Sequence, residues 1–425
     1  MTKSFYSFSF GCRVNAAEME VLDRQLIERG FILDSNNPSV FIINTCAVTA
    51  KAEREARQLI YQLDKKLPRT KLIVTGCAAT KWINEAVKIK SAELIDNPNK
   101  EFIADIIQKR FFPKSRLPTT NYRLYNSKYL SSGRLLVKIQ DGCSHFCTFC
   151  IVPYLRGQPK SRKITEIIDQ INSYNSQTKE VILTAVNTQA FGYDSGENFL
   201  NLVERVLKNT QVPRISFGSI HPWSVTDEFL DFYKKILPLR RLVNFFHIPL
   251  QSGSNKILGL MRRGYTREEF EEKLSTLAKI NPLAFIGTDV IVGFLEESDS
   301  DFQDTYNFLK KSPISKFHLF RFSPREKTAA YYMKKRLKNI PDNIKKKRVQ
   351  ALLKLSQNKY RRFLSKLIGK KFSALIINKN NHLFNVLLDN QIPVLINSSN
   401  HLQPGVFINV SVEALKENKL IARII

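Results

Sequence analysis

A chain of 425 residues exceeds what one hydrophobic core ordinarily serves and divides into two or three domains. Its 66 Lys and Arg against 38 Asp and Glu give a formal charge of +28, which favours a polyanionic partner, nucleic acid first, over an anionic membrane surface. No apolar run reaches the roughly 18 residues of a spanning helix, and residues 1–6 lack the apolar core of a signal peptide; a cytoplasmic location without membrane contact is expected, where six cysteines serve as metal ligands before disulfides.

The predicted elements begin with a strand over 4–10 that ends at Gly11-Cys12-Arg13-Val14-Asn15. A helix follows, with Met19, Leu22, Leu26 and Ile27 along one side. A second strand over 40–43 ends at Asn44-Thr45-Cys46 and leads into a charged helix over 51–65; a third, over 71–74, ends at Thr75-Gly76-Cys77. Strands alternating with helices imply a parallel sheet, whose carboxyl ends share one edge, where open α/β folds bind ligands. Cys12, Cys46 and Cys77 are therefore expected to converge as a three-thiolate site; the competing reading is three separate buried core cysteines.

A helix near 101–109 is followed by a linker over 113–132. Its Tyr122, Tyr125 and Tyr129 are expected as half-buried linker aromatics rather than a stacking surface. From Arg134 a strand-then-helix rhythm sets in, with strands over 135–140, 180–185, 214–219, 243–248, 286–292 and 316–322. Helices centre near Ile168, Val203, Phe229, Phe270 and Phe308. Six such units fit a partial (β/α) barrel. The first strand runs into Cys143-Ser144-His145-Phe146-Cys147-Thr148-Phe149-Cys150. Three thiols at that spacing cannot share one face of a regular element, so the segment is a loop around a metal centre. An iron–sulfur cluster with one iron free of protein ligands and a zinc knuckle completed by His145 both satisfy it.

Cys-x-x-x-Cys-x-x-Cys, flanked by Lys138-Ile139-Gln140-Asp141-Gly142 and Ile151-Val152-Pro153-Tyr154-Leu155-Arg156-Gly157, resembles the radical S-adenosylmethionine (SAM) enzymes, and among them the methylthiotransferases. The resemblance implies an α/β chain in three parts: a flavodoxin-like parallel-sheet domain (1–112), the six-strand barrel with a basic terminal helix (133–365) after the linker, and a small OB-like barrel of the TRAM type (366–425). It implies two [4Fe–4S] clusters, one on Cys143, Cys147 and Cys150 that cleaves SAM to a 5′-deoxyadenosyl radical, and an auxiliary one on Cys12, Cys46 and Cys77 that delivers sulfur. Phe149 matches the aromatic position beside the SAM adenine. Residues just past the barrel strands, Asn187 with Thr188, Ser219 with His221, Gln251 with Ser252, and Gly293 with Phe294, are candidates for SAM and substrate contacts.

Gly293-Phe294-Leu295-Glu296-Glu297 departs from the family's Gly-Phe-Pro-Gly-Glu, and Ala185 stands where glycine is common. Arg262 and Arg263 are candidates for RNA phosphates. Residues 334–371 carry many Lys and Arg against one acid, Asp342, with Val349, Leu352, Leu353, Tyr360, Phe363, Leu364 and Leu367 at helical spacing, so one face packs while the other offers cations. Strands over 372–377, 384–388, 393–396, 406–412 and 420–424 fit a small barrel. Within the family, the runs at Cys12, Cys46 and Cys143 look most like the branch acting on threonylcarbamoyladenosine of the tRNA anticodon stem-loop, at C2 of the base 3′ of the anticodon. His221 stands where that branch more often has glutamate. Isopentenyl-adenosine and a ribosomal-protein aspartate are the alternative substrates, and a different radical SAM enzyme or a non-catalytic metal protein binding nucleic acid lies outside the branch. Electron and sulfur donors do not follow from the resemblance.

Overall fold

The computed structural model describes residues 3–89, 91–112, 132–174, 177–380, 383–398 and 402–425. Most of the expected linker, including Tyr122, Tyr125 and Tyr129, lies outside them. The first body contains β1 (Ser4–Ser9), α1 (Arg13–Glu28), β2 (Ile32–Leu33), β3 (Val40–Thr45), α2 (Ala50–Lys66), β4 (Lys71–Gly76), α3 (Cys77–Asn84), β5 (Ala92–Leu94) and α4 (Ile103–Phe111). The strands run parallel in the order β2-β1-β3-β4-β5, the flavodoxin-like arrangement. Val40, Ile42 and Ile43 are fully buried, because helices cover both faces of the sheet. The two edge strands are only two and three residues long, too short to leave a period-two pattern in the sequence.

The second body comprises β6 (Arg134–Asp141), α5 (Val152–Arg156), β7 (Lys160–Ser161), α6 (Ile164–Ser173), β8 (Glu180–Ala185), α7 (Phe199–Asn209), β9 (Arg214–Phe217), α8 (Asp227–Ile236), β10 (Phe245–His247), α9 (Asn255–Leu260), α10 (Arg267–Ile280), β11 (Phe285–Val292), α11 (Asp299–Lys311), β12 (Lys316–Arg321), α12 (Ala329–Met333) and α13 (Asp342–Lys366). Parallel bridges from Ile215 to Leu242 and from Ser219 to His247 join β6-β8-β9 to β10-β11-β12. The result is the expected six-strand partial barrel. Alternation along each strand sorts its residues: Val137, Leu183, Phe217, Phe246, Val290 and Phe317 face the helices in one core, and the residues between them face the lumen.

That lumen is covered on two sides. Along β6 and β8, α1 of the first body lies over the inner face, with Ala17 against Leu136 and Ile182 and Glu18 paired to Lys138 at 3.1 Å. At the amino ends of the strands sits the third body, β13 (Lys371–Asn380), β14 (Leu383–Leu388), β15 (Pro393–Asn397), β16 (Phe407–Lys416) and β17 (Lys419–Ile424), closed in the order β13-β14-β15-β17-β16. Its apolar interior continues through Phe363 and Leu367 to Phe285. Arg214 of β9 donates to the Leu387 and Ser373 carbonyls at 3.1 and 2.6 Å, and Gln391 bonds Glu180 at 3.0 Å.

α13 has the expected packed face and cationic face, but three residues fall on the side opposite to their type. Lys345 and Arg348 are buried and Leu353 is 48 % exposed, because the helix turns these two cations onto the loop after β11. There Arg348 donates to Glu297 Oε2 at 2.6 Å and to its carbonyl at 2.9 Å, and Glu297 Oε2 accepts the Gly293 N–H at 2.9 Å. Glu296 holds φ +62°, the left-handed conformation that the family's glycine takes without strain. Here reciprocal contacts to Lys338 hold it: Glu296 N–H donates to the Lys338 carbonyl at 3.0 Å, and its carboxylate accepts the Lys338 N–H. Arg348→Met would leave the Glu297 carboxylate buried without its partner, so chemical denaturation should show a loss of about 3–5 kcal/mol; a loss under about 1 kcal/mol would mean the ion pair does not hold this turn.

Candidate active site

Cys12 is the residue before α1, Cys46 follows β3 directly, and Cys77 opens α3. The sheet sets their convergence, since Ser9 lies opposite Asn44 and Thr45 opposite Gly76 on adjacent strands. Gly11 is part of the fit: with φ +86°, a Cβ there would come within 2.8 Å of Cys46 Sγ, so only glycine lets the two loops approach. Burial raises the pKa of Cys12 and drives Cys46 up to about 12, and a charge on Cys77 would add to both.

The second trio follows β6. Gly142 holds φ +72° and a Cβ there would meet the Gln158 carbonyl at 2.0 Å, while Cys143 N–H donates to the Gly157 carbonyl at 3.0 Å. Thr148 pins the far side of the loop: its hydroxyl donates to the Leu260 carbonyl at 2.8 Å, its N–H to Met261 at 3.1 Å, and its carbonyl accepts from Ala330 N–H at 2.8 Å. Burial drives Cys150 up to about 12, with charges on Cys147 and Cys143 adding to the rise. All six thiols are free of disulfides.

Each trio is faced by a buried arginine. Arg263 donates to Cys147 Sγ at 3.2 Å and to the Tyr265 hydroxyl at 2.9 Å; it is 4 % exposed, which corrects its expected role at RNA phosphates, a role only the exposed Arg262 could take. Arg156, from the helix that follows the Cys143–Cys150 loop, donates to Cys77 Sγ at 3.3 Å. The same guanidinium reaches Glu18 at 2.9 Å, Asp141 at 2.8 Å and Asn15 at 2.6 Å. Burial opposes its charge, but Cys77, Glu18 and Asp141 hold its pKa well above the usual value. Glu18 stays well below its ordinary value because Lys100, Arg156 and Lys138 outweigh its own burial. Two trios of unpaired thiols, each with a cation within hydrogen-bond reach to stabilise thiolate, suit sulfur-ligated clusters.

The other candidates divide. Asn187 lies beside the loop, its amide 3.6 Å from Cys143 Sγ and its N–H on Gln140 Oε1 at 3.0 Å. Phe149 packs on a cluster of Ile257, Met261, Ile291 and Phe294, with Phe294 fully buried and so unable to reach a ligand. Gln251 holds φ +77° and bridges to Val290. Phe146, Gln251 and Arg262 all have positive φ, a conformation that residues other than glycine seldom adopt. Gly293 has φ +74° and lies against the Lys345 stem. The hydroxyls of Ser252 and Thr188 are buried and bonded inward, to Thr305 at 3.3 Å and to Ser224 at 2.8 Å. His145 packs edge-on to Trp223 at 4.6 Å and to His221 at 5.6 Å. Sequence reasoning missed Arg156 as a site residue, although it stood in the quoted motif; its partners come from three distant segments.

An open six-strand parallel barrel with three cysteines in the loop after its first strand defines a radical SAM enzyme. The radical SAM superfamily model matches residues 137–309, and the model described as uncharacterized protein family UPF0004 matches residues 4–95. The chain is 36 % identical to a threonylcarbamoyladenosine tRNA methylthiotransferase MtaB of Aquifex aeolicus, over 90 % of this chain and 94 % of that one. It is 34 % identical to a tRNA-2-methylthio-N(6)-dimethylallyladenosine synthase of Thermodesulfovibrio yellowstonii, over 90 % of each. Among solved structures, the radical SAM methyltransferase TsrM of Kitasatospora setae shares the fold at a TM-score of 0.52 and 12 % identity, covering 76 % of this chain and 75 % of that one. The chain belongs to the radical SAM methylthiotransferase family, and SAM and [4Fe–4S] clusters are its cofactors.

His221 has a testable pH signature. Burial, with the Arg263 charge nearby, pushes its pKa down to about 2, while the unfolded chain protonates near 6.5. The unfolded state therefore binds the extra proton below about pH 6.5, and stability falls as pH drops through that value, by up to about 1.4 kcal/mol per pH unit. Histidine NMR between pH 8 and 5 should show no titration of His221; a midpoint near 6.5 would contradict its burial.

Proposed function

We propose that this chain inserts a methylthio group at C2 of N6-threonylcarbamoyladenosine in tRNA, at position 37 beside the anticodon, and does so in the cytoplasm. The observation that carries the reading is the pair of thiol trios, with Arg156 reaching from the helix after one loop to Cys77 of the other trio. Cys143, Cys147 and Cys150 would hold one [4Fe–4S] cluster, and Cys12, Cys46 and Cys77 the second. A carbon without an acidic proton or leaving group yields its hydrogen only to a strong radical, and bound cluster with SAM supplies that chemistry. The residues' own work is positional. Arg263 and Arg156 stabilise thiolates, Phe149 and Asn187 stand beside the SAM-side loop, and the exposed cations of α13, such as Lys346, Lys347, Arg361 and Arg362, offer phosphate contacts. The three bodies, taken as 1–112, 133–365 and 366–425, divide the labour into sulfur delivery, radical generation and RNA docking. A second reading, with dimethylallyladenosine as target, is supported by the relative named for that product at 34 % identity and by His221 replacing the glutamate more usual in the first branch.

Anaerobic reconstitution should load about eight irons per chain. Cys147→Ala should abolish SAM cleavage, whereas Cys46→Ala should keep it and lose only sulfur insertion; equal loss of cleavage in both would contradict separate roles for the trios. Nucleoside mass spectrometry of tRNA from a strain lacking the gene should show 2-methylthio-threonylcarbamoyladenosine absent. Loss of the dimethylallyl derivative instead would establish the second reading, and an unchanged profile would remove both.

A further inference from the structure

The lumen wall opposite α1 carries a group of side chains that the reaction above does not use. His247, Asp289 and His318 come from the adjacent strands β10, β11 and β12, with Asp289 directly opposite His318 and His247 opposite Gly287. All three occupy the lumen-facing alternation of their strands. His247 Nε2 is 3.1 Å and His318 Nδ1 3.4 Å from the same oxygen, Asp289 Oδ1, and one donor from each residue lies within 4.8 Å of the others. The imidazoles are near parallel, 5.4 Å apart and inclined by 28°, so that both present nitrogen to one point.

We propose that His247, Asp289 and His318 form a binding site for one divalent transition-metal ion of the zinc class, separate from both cysteine trios. Two nitrogens and a carboxylate oxygen are the donor set that borderline cations take. Donors sharing a tetrahedral ion with bonds of about 2.0–2.1 Å stand about 3.3 Å apart, which both measured edges match. A structural His–Asp pair would need only one imidazole, yet a second arrives from a strand where it gains little burial, His318 being 60 % exposed. Gly287 makes room for the arrangement, since a Cβ there would come within 3.0 Å of His247 Nδ1 and push the ring off its aim. Three protein ligands leave one position open, as in zinc sites that bind a substrate atom, and it faces the lumen. The ion would therefore take an oxygen or nitrogen of whatever molecule enters, and the site does not depend on which nucleoside that is.

The test uses the anaerobic holoprotein with its clusters loaded, so that the cysteines are occupied, titrated with zinc chloride by calorimetry. One additional zinc per chain should bind to wild type, and Asp289→Asn and His318→Ala should each weaken it by more than about tenfold, the loss that even outer-shell changes produce at metal sites. Iron content equal to wild type shows that the variants fold. Crystals of the wild-type holoprotein soaked in zinc should give an anomalous peak between the three side chains, a readout independent of any variant. No saturable zinc, affinity unchanged in both variants, or a peak elsewhere would overturn the site and leave a hydrogen-bonded triad.

Discussion

The Arg156 guanidinium is the constraint on which the arrangement turns. It leaves the helix after the Cys143–Cys150 loop, crosses to the first body, and divides its donors among Cys77, Glu18, Asp141 and Asn15. A buried charge is tolerated only when paired and hydrogen-bonded, and the partners come from both bodies. Neither body satisfies this cation alone. Their relative placement is thus coupled to the same group that touches Cys77, and Lys100 and Lys138 extend the network by balancing Glu18.

The barrel is completed by its neighbours. Six strands leave a gap, and α1 lies over the inner face beside it, bringing Cys12 at its amino end to the carboxyl edge of the barrel. Burial raises the pKa of Cys12, and Arg156 opposes that rise, as does the helix macrodipole, which favours negative charge at that end. The positive-φ loops at Phe146, Gln251 and Arg262 gather around the same edge. The well-packed strands and helices beneath hold them there.

Much of this was legible in the residues, for physical reasons that differ by element. The strands with buried apolar runs announced themselves, and the cysteine positions followed because parallel strands end on one edge. The edge strands β2 and β5 were invisible at two or three residues. The burial of Thr188, Ser252, Arg263, Lys345 and Arg348 was not legible for one common reason: polarity indicates water or a ligand only when no buried partner exists, and partners such as Thr305, Glu297 and Cys147 lie far off in sequence. The His247, Asp289 and His318 group was unreadable for the same cause, since its members are brought together only by strand register.

The third body does more than append a barrel to the chain. By covering the amino ends of the strands through Arg214, Gln391 and the Phe285 contact, it stops that end of the lumen. Access is left to the carboxyl edge, where the cysteine loop sits, and to the seam between β12 and β7 that no strand pairing among the described residues closes.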